Sequence, residues 1–483
     1  MTNITIAWMA LPFFVGFLIY LLPKLSRFLA LGVALLSVNY ALAIFADPSF
    51  LLDIELLDSF GVTLKIDQLS GFFIITNALV TSAVIFYCWN TDKTPFFYMQ
   101  ATILHGSVNA TFICADFISL YVALEVISIA AFLLITYPRT DRSIWVGLRY
   151  LFISNTAMLF YLVGVALVYK ANNSFNFMGL PNAPPEAIAL IFLGLLVKGG
   201  IFISGLWLPL THSESQSFVS AMLSGVVVKT GVFPFVRCAQ MIDEIDPIVR
   251  IFGVSTALLG VFWAIFQQDT KRTLAFSTIS QLGFIMAAPE VGGFYALTHG
   301  FVKSALFLIS GVLPSRNFQE LRDKPMNNSL WIALAIASFS ISGFPLLSGF
   351  GAKILTTKNL LSWQVIAMNV ATVGTTIVFA KFIFLPHKKG DSEKKIQQGF
   401  WWAMVFLLGG LIVANAVYYE AYTINNIVKP LVTIATGWLA YLFIFRKLTI
   451  KLPRAIEEFE HLIGVMAIML ILVFWMVQVR GYA

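Results

Sequence analysis

Residues 189–208, ALIFLGLLVKGGIFISGLWL, form an apolar run of membrane-spanning length with a lysine, Lys198, near its middle. Residues 224–235, SGVVVKTGVFPF, show the same arrangement around Lys229. A charged side chain at the centre of a bilayer costs at least about 2.5–3.5 kcal/mol, so its presence there is a functional-site hypothesis by default. The two runs therefore predict membrane helices, and their lysines are the first candidates for a functional site.

The whole chain has the composition of a membrane protein. Of its 483 residues, 59% are hydrophobic and 11% are charged, and the mean hydropathy is +0.85. A soluble globular protein carries about 25% charged residues. About sixteen apolar stretches come close to the roughly 20 residues that a helix needs to cross a bilayer. We therefore expect an all-α polytopic membrane protein embedded in lipid, with no nucleic-acid partner.

The placement of basic residues predicts which loops lie inside, because cytoplasmic loops are enriched in Lys and Arg. With the N-terminus placed outside, eighteen of the 31 Lys and Arg residues fall in inside loops. Seven fall in outside loops or at the chain ends. This asymmetry predicts an even number of spans with both termini on the outer side.

Three polar segments and the cysteines lie between or beside the spans. Residues 47–67 alternate partly and contain Gly61, which favours an external β-hairpin, although an irregular loop fits nearly as well. Residues 387–399 predict a solvated inside loop, and residues 446–461 an amphipathic segment at the membrane surface or against a partner. The three cysteines lack the spacing of a zinc or iron–sulfur site, so we expect core residues and no metal or cofactor: Cys88, Cys114 and Cys238.

Glu125 is the one acid placed deep in a span, within the run at 117–137. Two states fit such a carboxyl group: neutral and hydrogen-bonded, or ionised and paired with a lysine of another helix. A buried lysine can hold or release a proton according to whether a carboxylate is close. Lys198 and Glu125 are therefore candidates for a proton-transfer pair, with a structural ion pair as the alternative.

Several other polar side chains could extend this pair into a path. Lys229 lies one span after Lys198, and His212 lies between them in a segment that is either a solvated loop or the mouth of a pathway. His299 and Lys303 are spaced i and i+4, on one face of a helix, which suits a relay because imidazole titrates near neutrality. A polar run in the preceding span either joins helices or holds water: Ser277, Ser280 and Gln281.

Two spans carry helix-breaking residues next to a lysine. The seventh has Gly199, Gly200 and Pro209 around Lys198, and the twelfth has breakers before Lys353, namely Gly343, Pro345 and Gly349. Irregular backbone at membrane depth is tolerated where it lines a cavity, and broken helices in corresponding positions point to inverted repeats. Spans 4–8 and 9–13 are then the two repeats.

Five motifs, in order, resemble a known family of membrane subunits. They are DFISLYVALEV at 116–126, WLPLTHSES…VSAMLSGVVVKTGV at 207–232, TLAFSTISQLGFI at 273–285, THGFVKSALFLISG at 298–311 and GFPLLSGFGAK at 343–353. These motifs are similar to those of the antiporter-like subunits shared by respiratory complex I and Mrp-type multisubunit cation/proton antiporters, and especially to the D subunit of the latter. The chain departs from the family pattern at Ile203, Gly205, Phe218 and Leu346.

The resemblance implies a fold of about 14 core transmembrane helices in two inverted five-helix repeats, with helices 7 and 12 broken. About two further helices follow here, which we expect to dock to a neighbouring subunit. The implied divisions are 1–96 for helices 1–3, 97–245 for the first repeat, 246–386 for the second and 387–483 for the C-terminal helices. The family's buried proton axis falls on these residues of this chain: Glu125, Lys198, Lys229, His299, Lys303 and Lys353.

Two functions follow from this resemblance. In the first, the chain is a proton-translocating subunit of a sodium/proton antiporter, in a prokaryotic plasma membrane and with other membrane subunits as partners. In the second, it belongs to a complex-I-like NAD(P)H or ferredoxin:quinone oxidoreductase, and any redox centre lies in its partner subunits. The membrane could then also be a thylakoid membrane or an organellar inner membrane. A structural anchor with inert ion pairs is a third reading, which the excess of four deep lysines over one deep acid disfavours.

Overall fold

The computed structural model describes residues 1–56, 61–389, 396–448, 450 and 452–481 of the chain. Within these residues, 12 helices are long and apolar enough to cross a membrane, and a further pair, Thr270–Ala287 with Pro289–Ser310, passes the same test together with a bend of 105°. The chain is therefore an all-α polytopic membrane protein, as its composition predicts.

The helices follow one another with short connections. The first ten are α1 Thr2–Leu21, α2 Ser26–Phe45, α3 Gln68–Tyr87, α4 Pro95–Thr111, α5 Phe117–Ile135, α6 Asp141–Asn172, α7 Pro185–Gly199, α8 Leu208–Glu214, α9 Ser217–Met222 and α10 Lys229–Met241. The next ten are α11 Asp246–Phe266, α12 Thr270–Ala287, α13 Gly292–Ser310, α14 Phe318–Asp323, α15 Asn328–Ser342, α16 Ser348–Lys358, α17 Val365–Ile383, α18 Gln398–Val417, α19 Ile424–Ala440 and α20 Phe459–Gly481.

Alternate loops meet at opposite ends of the helical bundle. At one end Lys93 contacts Gln216, and Arg142 pairs with Glu214. At the other end, loop contacts join different residues: Asp116 to Asn176, Asp67 to Arg237, and Arg250 to Asn359. The first end collects the loops in which the sequence places the excess of Lys and Arg, and we call it the lysine-rich end. Which end faces the cytoplasm stays a prediction, and Lys394, Lys395 and Lys451, also counted for it, lie outside the described residues.

A β-hairpin lies at the other end of the bundle, where the sequence favours one. Strand β1, Leu52–Leu56, pairs antiparallel with β2, Val62–Ile66, although residues 57–60 between them are outside the described part of the chain. Backbone bonds from Lys65 N to Ile113 O and from Ala115 N to Thr63 O fix the hairpin to the loop before α5. A second, two-residue parallel pair joins β3, Met326–Asn327, to β4, His387–Lys388. All three cysteines are buried and free, as expected.

The last helix packs on this chain itself, and its expected docking to a neighbouring subunit stays a prediction. Helix α20 lies against α7 and α6, with buried residues at helical spacing that face them: Leu462, Met466, Met469 and Val473. The segment before it includes a short 3-10 turn at Ala455–Glu457. There Glu457 accepts from Arg272 at 2.5 Å, and its backbone oxygen accepts from Arg149. Buried charges therefore anchor the C-terminal segment.

Candidate functional site

The helix that carries Lys198 stops one residue after it. Gly199 is the last residue of α7, and Gly200 then takes a left-handed conformation with φ 67°, which glycine adopts without strain. The freed carbonyl oxygen of Val197 accepts a hydrogen bond from Trp207 Nε1 at 2.9 Å. Pro209, predicted to break the helix, instead lies in the first turn of α8, a position that proline tolerates.

Lys198 is buried and is held by neutral oxygen atoms. Its Nζ donates to Leu124 O at 2.8 Å, to Ser154 Oγ at 2.9 Å and to Ser128 Oγ. Neither serine is among the candidates predicted from the sequence. Ser128 lies one helical turn after Leu124 on α5, but nothing in the sequence marks the register between α5, α6 and α7.

Glu125 does not form the expected ion pair in this structure. No salt bridge within 4.0 Å joins it to Lys198 among the described residues, and its buried Oε1 has no hydrogen-bond partner. Glu125 follows Leu124, which does contact Lys198. The structure therefore shows an open arrangement, in which the lysine binds hydroxyl groups and one oxygen of the nearby carboxyl group, Oε1, has no hydrogen-bond partner.

Lys229 follows a π-helical turn at Leu223–Val227. Such a turn leaves backbone carbonyl groups without their normal partners and is frequent at functional sites. The Lys229 ammonium group donates to Gly225 O and, at 3.2 Å, to Ser224 O. It also lies against Gly300 on α13, since a Cβ atom built there would be 3.6 Å from Lys229 Nζ. Lys229 is therefore adjacent to the helix that carries His299 and Lys303.

His299 and Lys303 lie on α13 and are both buried. Lys303 Nζ donates to Ser277 Oγ and, at 3.0 Å, to Leu274 O, which places Ser277 in the site. Both ring nitrogens of His299 are buried without a hydrogen-bond partner. A buried imidazole with two unpaired nitrogens is costly unless water or a proton-transfer partner reaches it.

A cavity joins His299 to Lys353. It has a volume of about 10 Å³, enough for the centre of one water molecule. Polar side chains line it: Gln281, Tyr295, Thr298, His299 and Lys353. Gln281 Oε1 accepts from the Tyr295 hydroxyl at 2.6 Å, so the predicted Gln281 lies in the site. One water molecule here would give His299 a partner and link it to Lys353.

Lys353 lies beside the second break. Helix α15 ends at Ser342, Gly343 has φ 85°, and Lys353 Nζ donates to Ser342 O at 3.3 Å. The lysine therefore neutralises the carbonyl end of a half-helix, where the helix dipole is negative. Gly349, predicted to break the span, lies inside α16, and its missing side chain lets the backbone of α15 approach: a Cβ there would be 1.8 Å from Ser340 O.

Two predicted pathway residues have other surroundings. His212 is fully buried in α8 and stacks on Phe307 with ring centroids 4.8 Å apart, so it is not in a solvated loop. Its two ring nitrogens have no hydrogen-bond partner. Ser280 donates to Ala257 O on α11 at 2.9 Å and joins two helices. A fifth lysine buried in a span, Lys381, was not selected; it donates to the carbonyl groups at the end of α11, Ala264 O and Gln267 O.

These features define a class of protein: a polytopic membrane protein whose interior carries a row of lysines beside two interrupted helices. Residues 114–379 match the family described as NADH:quinone oxidoreductase/Mrp antiporter, transmembrane, and since they are more than half of the chain, the chain belongs to this family. It is thus a membrane subunit of the kind found in Mrp-type antiporters and complex-I-like assemblies.

Three relatives illustrate the range of the family. The chain is 28% identical to the D subunit of the Na(+)/H(+) antiporter of Alkalihalophilus pseudofirmus over 442 residues, covering 82% of this chain and 89% of the relative. It is 29% identical to the N subunit of the NADH-quinone oxidoreductase of Desulforudis audaxviator over 372 residues, covering 68% and 74%. A chain of the archaeal membrane-bound sulfane sulfur reductase superimposes with a TM-score of 0.76 at 21% identity, covering 91% of this chain and 100% of that one, which shows the shared fold.

Proposed function

We propose that this chain is the proton-translocating subunit of a multisubunit sodium/proton antiporter. Protons move between the two repeats along a buried row, which runs through Glu125, Lys198, Lys229, His299, Lys303 and Lys353. The observation that supports the proposal is the cavity that His299 and Lys353 both line. The ring nitrogens of His299 have no hydrogen-bond partner, and one water molecule in this cavity could pass a proton between the imidazole and the amino group. The sodium/proton antiporter protein among the relatives favours sodium as the exchanged ion.

Glu125 and Lys198 act as the switch at one end of this row. In the open arrangement the Lys198 ammonium group is held by Ser128 and Ser154. An ionised pair about 4 Å apart attracts by about 4 kcal/mol at an effective dielectric constant of 20, so closing the pair would stabilise the charged lysine by a part of this energy. Opening the pair withdraws that stabilisation and releases the proton along the row.

The test is proton and sodium flux in vesicles that contain the whole assembly. Lys198→Ala and Glu125→Ala should each abolish most of the flux while the assembly stays intact. Lys381→Ala is the matched control, because it removes an equally buried amino group outside the row. Wild-type flux in both row variants would refute the proposal, and an equal loss in all three would show that the effect is structural.

The alternative is a proton-pumping subunit of a complex-I-like quinone oxidoreductase. The identity to the N subunit of an NADH-quinone oxidoreductase, which is as high as that to the antiporter protein, supports it. Both functions use the same row, so the row variants do not separate them. The proteins that purify with the chain separate them: small antiporter subunits favour exchange against sodium, and peripheral redox subunits favour the oxidoreductase.

A further inference from the structure

A cavity of about 1140 Å³ opens at the lysine-rich end of the bundle. Its walls come from the ends of α3, α13 and α14 with their loops and from the starts of α9, α12, α15 and α18. Among the residues that the structure describes, five charged side chains line it, of which four are lysines: Lys93, Lys271, Lys324, Lys388 and Asp323. We call this cavity the basic vestibule. Its size is ample for an organic ligand, since ligand pockets measure about 300–1,000 Å³.

The charge of the basic vestibule selects anions. Lys271 is 6% exposed, and its Nζ donates to a neutral acceptor, Ser215 O, at 2.7 Å. Lys93 donates to the Gln216 side-chain oxygen at 3.3 Å and has no salt bridge among the described residues. Lys324 pairs with Glu320 at 3.5 Å, and both side chains are exposed. The remaining three lysines against Asp323 leave a positive charge, which repels protons and metal cations and attracts an anion. The basic vestibule is therefore a poor entrance for the transported cations.

One wall of the basic vestibule is apolar and aromatic. The ring centroid of Tyr87 lies 6.4 Å from that of Phe218 and 6.3 Å from that of Phe400. Leu330 lines the same cavity. A soluble anion such as inorganic phosphate would bind the lysines and would not cover this apolar wall. A phospholipid uses both parts, since its phosphate group binds lysines and its glycerol and acyl carbons pack on apolar side chains. Basic pockets between membrane helices are known to bind such headgroups.

We infer that the basic vestibule binds the headgroup of an anionic phospholipid. The inference stands on the charge, the size and the aromatic wall of this cavity, and it is independent of the proposed proton row. The ligand would lie at the lysine-rich membrane surface, between helix ends of both repeats. It would neutralise the unpaired Lys93 and Lys271 and hold the ends of α9 and α12 together.

The test compares lipid selectivity of the purified assembly by electron paramagnetic resonance, with spin-labelled phosphatidylglycerol against spin-labelled phosphatidylcholine. The test variant is Lys324→Gln/Lys388→Gln, which changes two side chains at the rim and leaves the buried lysines intact. The control is Lys24→Gln/Lys447→Gln, which removes two exposed lysines from the same end outside the cavity. Wild type and control should prefer the anionic lipid, and the test variant should lose about fivefold of that preference for each lysine.

Two results would overturn the inference. If the test variant and the control prefer phosphatidylglycerol equally, the basic vestibule is not the lipid site. The second result has two parts. Inorganic phosphate displaces the labelled lipid at concentrations that leave lipid binding at the opposite end of the helical bundle unaffected, and glycerophosphate, which has no acyl chains, binds as well as the lipid does. The occupant of the basic vestibule is then a soluble anion. Loss of selectivity with unchanged proton flux would support the lipid site and leave the proposed function intact.

Discussion

Gly231 is the point where α7 and α10, which carry Lys198 and Lys229, touch backbone to backbone. A Cβ atom at this position would lie 2.2 Å from Gly199 N, 2.5 Å from Gly199 Cα and 2.9 Å from Leu195 O. Ordinary contacts of a Cβ atom begin at 3.4 Å. Gly231→Ala therefore requires α7 and α10 to move apart by about 1 Å, because no backbone atom can rotate away as a side chain would.

The cost of this movement should be large enough to measure. Extra atoms in a well-packed core destabilise proteins by about 1–3 kcal/mol. Lys198 directly precedes Gly199, and Lys229 lies two residues before Gly231, so the same movement changes the relative position of both amino groups. We expect a lower apparent melting temperature of the purified assembly and a reduced proton flux in vesicles.

Gly409→Ala is the control, because a Cβ atom there meets nothing within 4 Å. Alanine in a helix interior is about 0.5–1 kcal/mol more favourable than glycine, so this variant should melt at or above the wild-type temperature and keep full flux. Gly231→Ala with wild-type melting and wild-type flux would refute the close contact of α7 and α10 and, with it, the placement of Lys198 and Lys229.

Three further predictions concern stability. Burial would raise the pKa of the Asp67 carboxyl group, but hydrogen bonds and the charge of Arg237 hold that pKa below 3.8. The Asp67–Arg237 pair should therefore stabilise the fold above about pH 4 and lose this effect as the pH falls further. Asp67→Asn should cost about 3–5 kcal/mol at neutral pH and make the melting temperature less dependent on pH below about pH 4. Leu346 has φ 77°, so Leu346→Gly should raise the melting temperature by relieving about 1 kcal/mol of strain. Lys381→Met should lower the melting temperature, because it uncaps the end of α11, yet leave proton flux per assembled complex unchanged.

The interruptions of the two lysine-bearing spans could be placed from the sequence because glycine leaves a direct signal. Gly200 and Gly343 are the positions with positive φ at the ends of α7 and α15, and each lies next to a run that is otherwise apolar. Gly349 and Pro209 were also predicted to interrupt a helix, but in the structure they have other roles. Gly349 permits close packing of two helices, and Pro209 lies in the first turn of a helix. These roles depend on the surrounding backbone, which the sequence does not reveal. The inverted repeat itself stays a prediction from spacing.

Contacts between helices could not be read from the sequence. The partners of Lys198 come from α5 and α6, and the surroundings of Lys381 come from α11. The sequence of an apolar helix does not predict which face packs on a neighbouring helix or which helix that neighbour is, because every face of such a helix is as apolar as the lipid. The packing of α20 on α7 was missed for the same reason, since a lipid-facing helix and a helix docked to another protein have the same composition.

The row of lysines contains more cations than acids, and the structure shows how that excess is accommodated. Every one of the four Nζ atoms donates to a neutral oxygen, which stabilises an ammonium group without fixing it as the partner of a carboxylate. The oxygens are of two kinds. Serine hydroxyl groups, which bind Lys198 and Lys303, can turn from acceptor to donor when the amine loses a proton, whereas the carbonyl groups at Lys229 and Lys353 can only accept. A neutral amine keeps two N–H donors, so all four lysines can still donate to a carbonyl group, but only Lys198 and Lys303 have hydroxyl groups that can donate to the lone pair of the amine. This suits Lys198 and Lys303 to receive and pass on a proton. Replacement of Ser128 or Ser277 by alanine should thus slow proton flux more than replacement of Ser280, whose hydroxyl only joins two helices.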